Sequence, residues 1–192
     1  MNSWNYSLGL NYKINEKSYL FSSLGTSFET PALSELSANP NGGGFNSLIP
    51  QKAHNKEIGY RFYDQKNEFE IVLFDINTSN DLVPYEIESS PGRTFYRNAG
   101  KTNRTGLELS FSRQTKEYLN TKITYTYSNF SYGSFQKGDV DLSGKTLPGI
   151  PKHMASITTT LVRGGWNASL TSRFQGALFA DDANEVKEQG FF

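Results

Sequence analysis

The chain has 192 residues, a formal net charge of zero, no cysteine and a negative mean hydropathy. This length suits one ordinary domain, and the balanced charge gives no reason to expect a nucleic-acid partner or an acidic one. The lack of cysteine excludes a disulfide framework, a thiolate nucleophile and a cysteine-based metal site.

The aromatic content is high for such a polar chain, with 14 Phe and 11 Tyr. Many aromatics in a polar sequence suit strands that have one apolar face and aromatic residues at the membrane interfaces. No stretch approaches the roughly 18 continuous apolar residues of a spanning helix. The first residues enter a strand pattern directly, without a signal peptide. For an exported protein we therefore expect that the start of the sequence is missing.

Alternation of apolar and polar residues predicts eight strands along the chain. The facing of the second and fourth strands stays open, because apolar residues such as Leu20 and Phe21 compete for the same side. The predicted strands are Ser3–Tyr12, Ser18–Phe28, His54–Tyr63, Glu68–Thr78, two within Phe95–Phe130, Met154–Val162 and Trp166–Gln175.

The stretch Phe95–Phe130 has the clearest pattern. Leu107, Leu109 and Phe111 fall on one side of a strand, and Ile123 and Tyr125 continue this side after a tight turn. We expect these residues to form one apolar band on the convex face of the sheet, together with Ile58, Tyr60 and Phe62.

The lengths of the connections indicate the class of β-protein. Tight turns lie near residues 15, 65, 115 and 164, and long loops separate them. Short turns at one end and long loops at the other are typical of outer-membrane barrels. The pattern therefore predicts an antiparallel up-and-down transmembrane β-barrel segment, about eight strands of a larger barrel, with two unpaired edges. A complete eight-stranded barrel with a structural or adhesive role and a soluble β-sandwich binding module are the alternatives.

Four short motifs, in order, resemble the TonB-dependent outer-membrane receptors. Ser27–Leu36 resembles the family's F-x-x-P-x-L-x-E-L segment, and Pro50–Arg61 resembles the P-E-x-S-x-x-E-x-G-x-R/K segment, with Gln51 where the family often has Glu. Asn98–Glu108 resembles the N-x-G…G-x-E strand, and Leu147–His153 resembles L-P-x-x-P-x-H. Together these motifs cover nearly the whole chain.

The resemblance implies a receptor of about 22 strands with an N-terminal plug in its lumen, located in the bacterial outer membrane. Such receptors import scarce ligands such as a ferric siderophore, cobalamin, haem or a glycan with energy relayed by TonB. Residues 1–192 would then be a partial barrel domain, without the plug and the remaining strands. The implied partners are outer-membrane lipid, the receptor's own plug, the TonB complex through the missing N-terminal region, and a small-molecule or metal-chelate ligand. A nucleic-acid partner is not expected.

No Ser/His/Asp arrangement is recognisable from residue spacing, so we expect neither enzymatic activity nor a cofactor. A metal site is not expected either, since His54 and His153 each lack a second ligand nearby. Four loop aspartates are candidate calcium ligands, although solvated loop charges without a metal explain them better. They are Asp139, Asp141, Asp181 and Asp182.

Charged residues on the polar face of the strands are candidates for contact with the plug or the lumen. A ladder of cross-strand ion pairs is an equal alternative for them. The set is Glu57, Arg61, Arg104, Glu108 and Lys122. Loop aromatics are candidates for ligand binding, with loop packing as the alternative. They are Phe45, Tyr85, Phe95, Tyr96, Tyr132 and Phe135.

Overall fold

A computed structural model describes residues 4–87, 89–137 and 139–192 of the chain. Eight long strands hold most of these residues, and short elements lie in the connections between them and after the last long strand. In chain order the elements are β1 (Ser7–Asn15), β2 (Ser18–Glu29), α1 (Leu33–Ser37), β3 (Gln51–Tyr63), β4 (Asn67–Ser79), β5 (Leu82–Tyr85), β6 (Phe95–Asn98), β7 (Lys101–Lys116), β8 (Leu119–Ser134), β9 (Gln136–Lys137), β10 (Val140–Asp141), β11 (His153–Arg163), β12 (Trp166–Gln175), β13 (Leu178–Phe179) and β14 (Lys187–Glu188).

The long strands form one antiparallel sheet in the order β1-β2-β3-β4-β7-β8-β11-β12, so each pairs with the next long strand along the chain. This confirms the predicted up-and-down order. Two two-stranded sheets, β5 with β6 and β9 with β10, lie in long connections, and a third, β13 with β14, follows β12. The helix α1 is a single turn that the sequence pattern did not predict. The Glu35 carboxylate closes this turn by accepting the Ala32 N–H at 2.7 Å. Among the described residues, no helix has the length and apolar character to cross a membrane.

The register divides the sheet into an apolar face and a polar face. Cross-strand pairing aligns Ile58, Leu73, Leu107 and Tyr127 in one row, and the predicted apolar residues of β3, β7 and β8 all lie on the same face. The pairing also resolves the strands whose facing was open. On the apolar face lie Leu20, Leu24, Ile71 and Leu73, and on the polar face lie Phe21, Val72 and Phe74.

Nothing in the described chain covers the apolar face. Leu10 is 67% exposed and Leu170 is 73% exposed, although both lie in regular strands. The buried apolar residues belong instead to the long loops and the strand ends beside them: Val83, Phe95, Ala99, Tyr132, Phe135, Leu142 and Leu147. A soluble sandwich would bury this face under a second sheet, so that alternative is wrong. The described strands β1 and β12 do not pair, and the sheet is open.

Two aromatic rings on the polar face lie over glycines of the neighbouring strands. The Phe21 ring covers Gly59, and the Phe74 ring covers Gly106. A methyl group at Gly106 would overlap both the Phe74 ring and the carbonyl oxygen of Tyr127. The glycines therefore allow the aromatic rings to lie flat against the wall of the sheet.

We predict that Leu109→Arg destabilises the sheet in a membrane by about 2–4 kcal/mol, because this position lies in the middle of the apolar stretch of β7. The matched control is Ser110→Arg, which places the same side chain on the opposite face of the same strand. Unfolding of the two variants in lipid vesicles, followed with denaturant, gives the comparison. Equal destabilisation by both would contradict the assignment of the faces.

Gly106→Ala should destabilise the wall by roughly 1–3 kcal/mol, because a ring and a backbone carbonyl must both move to admit the methyl group. Gly9→Ala is the control, since a methyl there meets only the Ser22 carbonyl oxygen at 4.0 Å. The midpoint of thermal unfolding in detergent measures both. A Gly106→Ala midpoint as high as that of the Gly9→Ala variant would show that the ring is not held in place.

Candidate functional site on the long loops

A small apolar core joins the long loops to the ends of the strands. The Tyr132 and Phe135 rings pack with their centroids 4.7 Å apart, and Leu142 and Leu147 of the following loop are buried against them. Val83 and Ala99 from the loop between β4 and β7 complete this core. The loops are therefore packed structures with a core of their own.

Asp182 links three parts of the chain that are far apart in sequence. Its carboxylate accepts a hydrogen bond from the Tyr132 hydroxyl at 2.7 Å and pairs with the Arg97 guanidinium at 2.7 Å. Lys137 approaches the same carboxylate at 3.5 Å. Since the Asp182 side chain is only 13% exposed, these contacts are shielded from solvent and fix the loops relative to each other.

The Arg97 side chain lies between aromatic rings as well as beside Asp182. Its guanidinium carbon is 4.5 Å from the Tyr85 ring centroid and 5.0 Å from that of Phe135. The Nε atom is buried and has no hydrogen-bond partner among the described residues. Stacking of this kind holds the arginine in one position without further ion pairs.

A second carboxylate fixes the loop between β4 and β7 to the sheet. Asp81 is buried, accepts a hydrogen bond from the Thr102 hydroxyl at 2.7 Å and pairs closely with Arg104. Arg104 also donates to the Thr78 hydroxyl at 3.1 Å. This loop therefore begins at a defined position on the polar face of β7.

Asparagine side chains join neighbouring loops by imitating a peptide group. Asn98 exchanges two hydrogen bonds with the backbone of Ile49, at 2.8 and 2.9 Å. Asn184 does the same with Thr146, at 2.7 and 2.8 Å. Asn46 adds a bond to the Tyr96 carbonyl at 2.8 Å. The described residues of 30–50, 80–100, 135–152 and 176–192 thus form one connected surface.

A cavity of about 450 Å³ opens on this surface beside the Asp182 cluster. Tyr85 contributes an aromatic wall, Lys137 contributes a cation, and Glu86 and Asp181 contribute carboxylates. The backbone N–H of Val186 holds the pKa of Asp181 below its usual range. Asp181 is therefore charged across the neutral pH range. Such a mixed aromatic and charged wall can contact both flat and polar parts of a small molecule.

The predicted ligand-binding aromatics separate into two groups. Tyr85 and Tyr96 are half-buried in the loop surface, and Phe45 is 68% exposed. The structure places Phe95, Tyr132 and Phe135 in buried positions, as the loop-packing alternative describes.

The predicted lumen-facing charges all lie on the polar face, but their partners differ. Arg61 forms a cross-strand ion pair with Glu70, and Arg104 pairs with Asp81. Among the described residues, no salt bridge involves Glu57, Glu108 or Lys122. The ion-pair ladder therefore accounts for two of the five residues. For the remainder, contact with the plug or the lumen stays a prediction.

From the sequence, Asp182 is a solvated loop charge or a calcium ligand, Asn98 is only the first residue of a motif, and no pattern assigns a role to Arg97 or Asn184. Arg97 and Asp182 are 85 residues apart, and no local spacing signals their contact. The described residues contain no group of three or more histidine, aspartate or glutamate side chains arranged for a metal ion.

Residues 1–192 match the family model described as TonB dependent receptor-like, β-barrel. Over 143 residues the chain is 29% identical to a ferrioxamine receptor of Yersinia enterocolitica, which covers 73% of this chain and 19% of that protein. Over 81 residues it is 32% identical to the vitamin B12 transporter BtuB of Vibrio vulnificus (strain CMCP6), covering 42% and 12% of the two chains. The chain thus spans about a fifth or less of the length of these relatives, which are named as a receptor and a transporter.

A solved structure agrees with the observed fold. The ferric citrate transporter FecA in its unliganded form superposes with a TM-score of 0.71 and 27% identity, over 97% of this chain and 29% of that one. The open eight-stranded sheet therefore has the shape of part of a larger barrel wall.

We predict that Asp182→Asn loosens the loop surface, because it leaves the Arg97 cation without its counter-charge and weakens the Tyr132 hydrogen bond. Contacts of this kind contribute about 1.5–3 kcal/mol each when they involve a charged group. Hydrogen exchange of residues 80–100 and 135–152 should accelerate while the long strands stay protected. Glu185→Gln, in the same loop, is the control. Unchanged exchange in the Asp182 variant would contradict the linking role.

Proposed function

The chain belongs to the TonB-dependent receptor-like β-barrel family of the bacterial outer membrane, and on this basis we propose that it forms part of the wall of a receptor that imports a scarce ligand. The energy for import would come from the TonB complex, which an N-terminal region of the whole receptor would contact. The chain itself would then be a partial barrel domain, with the plug and the remaining strands supplied by the rest of the receptor. Its role in this proposal is to bind ligand and form the wall, without a catalytic step.

The observation that supports this proposal best is the linkage of the long loops through Asp182 and the asparagine side chains. A surface that is held in place before the ligand arrives loses less conformational entropy on binding. Tyr85, Tyr96 and Phe45 are the candidate ligand contacts on this surface, since they keep exposed area outside the loop core.

The polar face supports the second half of the proposal, passage along the lumen. Glu57, Glu108 and Lys122 lie on the face opposite to the apolar band, and no ion pair neutralises them among the described residues. Charged groups in this position need water or a protein partner. We propose that they face the plug or the path of the ligand.

A ferric siderophore is the first ligand class to test, because a ferrioxamine receptor and a ferric citrate transporter are among the similar proteins. Cobalamin is the second, supported by the 32% identity to a vitamin B12 transporter over 81 residues. Haem and glycans remain within the family expectation but have no specific support.

The complete receptor that carries this chain should restore growth on a ferric hydroxamate siderophore to a bacterium that lacks its own receptors and is starved of iron. Deletion of TonB in the same strain should abolish this growth. Haem is tested as an iron source in the same strain, whereas cobalamin is tested in a strain that requires it and lacks its own vitamin B12 receptor, and a glycan is tested as the carbon source. Growth on cobalamin without growth on the siderophore would move the ligand class to the second candidate. No growth in any of these assays, or growth that does not require TonB, would overturn the proposal.

The double variant Tyr85→Ala, Tyr96→Ala should weaken ligand binding by roughly fivefold to thirtyfold, which corresponds to the loss of one or two aromatic contacts. Tyr118→Ala, beside the short turn between β7 and β8, is the control because it lies at the opposite end of the sheet. Titration of the purified receptor with the ligand found above measures both. Equal affinities would exclude these two tyrosines as contacts.

A further inference from the structure

On β3, β4, β7 and β8 the apolar face ends along one cross-strand row, whereas on β2 Leu24 continues the apolar face in register with Lys56. Lys56, Asp75, Thr105 and Asn129 are paired in register across β3, β4, β7 and β8, one row beyond the apolar residues on the side of the long loops. Lys56 and Asp75 form an ion pair at 3.3 Å. On these four strands, this row marks the level at which the membrane-facing surface changes from hydrocarbon to polar contact.

Two rows further towards the loops, the same face has a pair of lysines around a hydroxyl group. Lys52 of β3 pairs in register with Ser79 of β4, which pairs in turn with Lys101 of β7. Adjacent strands are about 4.8 Å apart, so the two lysine backbones are separated by roughly 10 Å with the serine between them. Lys52 and Lys101 are exposed.

The charge of this patch is not neutralised within the described chain. Asp75 is the acidic residue on this part of the outward face, and it pairs with Lys56. Neither Lys52 nor Lys101 forms a salt bridge among the described residues, and the Lys52 ammonium lies 6.0 Å from the Phe28 ring centroid. The Lys52, Ser79 and Lys101 group therefore presents two cations and a hydroxyl donor to the headgroup layer.

We propose that Lys52, Ser79 and Lys101 bind the phosphate group of an outer-leaflet lipid headgroup. The two ammonium groups can extend along their flexible stems to a phosphate placed above Ser79. The site lies outside the lumen and the loop surface, so it is separate from the ligand site of the proposed function.

The position of the site on the same face as the apolar band favours a lipid over a free anion. Three rows below the site, beyond two polar rows, the same strands present Ile58, Leu73 and Leu107 to the hydrocarbon layer. A lipid can therefore contact the lysines with its phosphate and these residues with its acyl chains at the same time. Free phosphate gains only the first of these contacts.

Binding of lipid A, a glycolipid that carries phosphate monoesters, to the complete purified receptor in dodecyl maltoside tests the proposal. The variant is Lys52→Gln with Lys101→Gln, and native mass spectrometry measures the bound fraction. Each lysine near an anionic lipid is worth roughly a factor of five in affinity, so we expect about a 25-fold loss. The control is Lys17→Gln with Lys66→Gln, which removes the same charge at the short-turn end of the wall. Heat-modifiable mobility in gel electrophoresis checks that each variant is folded.

The wild type and the control should bind lipid A alike, and enzymatically dephosphorylated lipid A should bind wild type as weakly as lipid A binds the double variant. Equal binding by the wild type and the double variant would overturn the proposal. An equal loss in the control would also overturn it, since net charge alone would then explain the effect. If inorganic phosphate at millimolar concentration displaced the lipid completely, the site would be one for a free anion and the lipid assignment would fail. Ligand import should stay normal in the double variant, so this test is independent of the proposed function.

Discussion

Hydrogen bonding between neighbouring strands is the constraint on which the rest of this structure depends. A membrane offers no water to the backbone, so a β-structure within it must pair its N–H and C=O groups with other strands. The sheet meets this requirement by pairing each long strand with the next along the chain through tight turns or long loops. Because the strands pair in register, the apolar residues that alternate with polar ones along β3, β7 and β8 all reach the same face. One backbone rule thus produces both the membrane surface and the polar surface opposite to it.

The loops follow a different rule, since they are outside the hydrocarbon and can use side chains for cohesion. A small apolar core around Tyr132 and Phe135 provides the packing, and the carboxylates of Asp81 and Asp182 provide the fixed ionic contacts. Asn98 and Asn184 replace missing backbone partners with their amide groups. The proposed receptor would need this combination, because a ligand-binding surface built from long loops must be ordered before the ligand binds.

The polar face connects the two ends of the wall. Near the loops, Arg104 forms an ion pair with Asp81, and nearer the short turns Arg61 forms an ion pair with Glu70. Between them, Phe21 and Phe74 lie over glycines, while Glu57 and Glu108 add charge without an ion pair in the described chain.

The sequence by itself determined the class of the fold, because a period of two residues and the contrast of short turns and long loops are local signals. It also determined the facing of β7 and β8, where Leu107, Leu109 and Phe111 alternate with polar residues without competition. Only the tertiary structure decided the facing of β2 and β4. Both strands have apolar residues on both faces, so the sequence pattern does not show which face is the apolar face of the sheet until the strands are paired with their neighbours. The same holds for the loop site. Arg97 and Asp182 are separated by 85 residues, and their contact depends on how the strands between them bring the loops together.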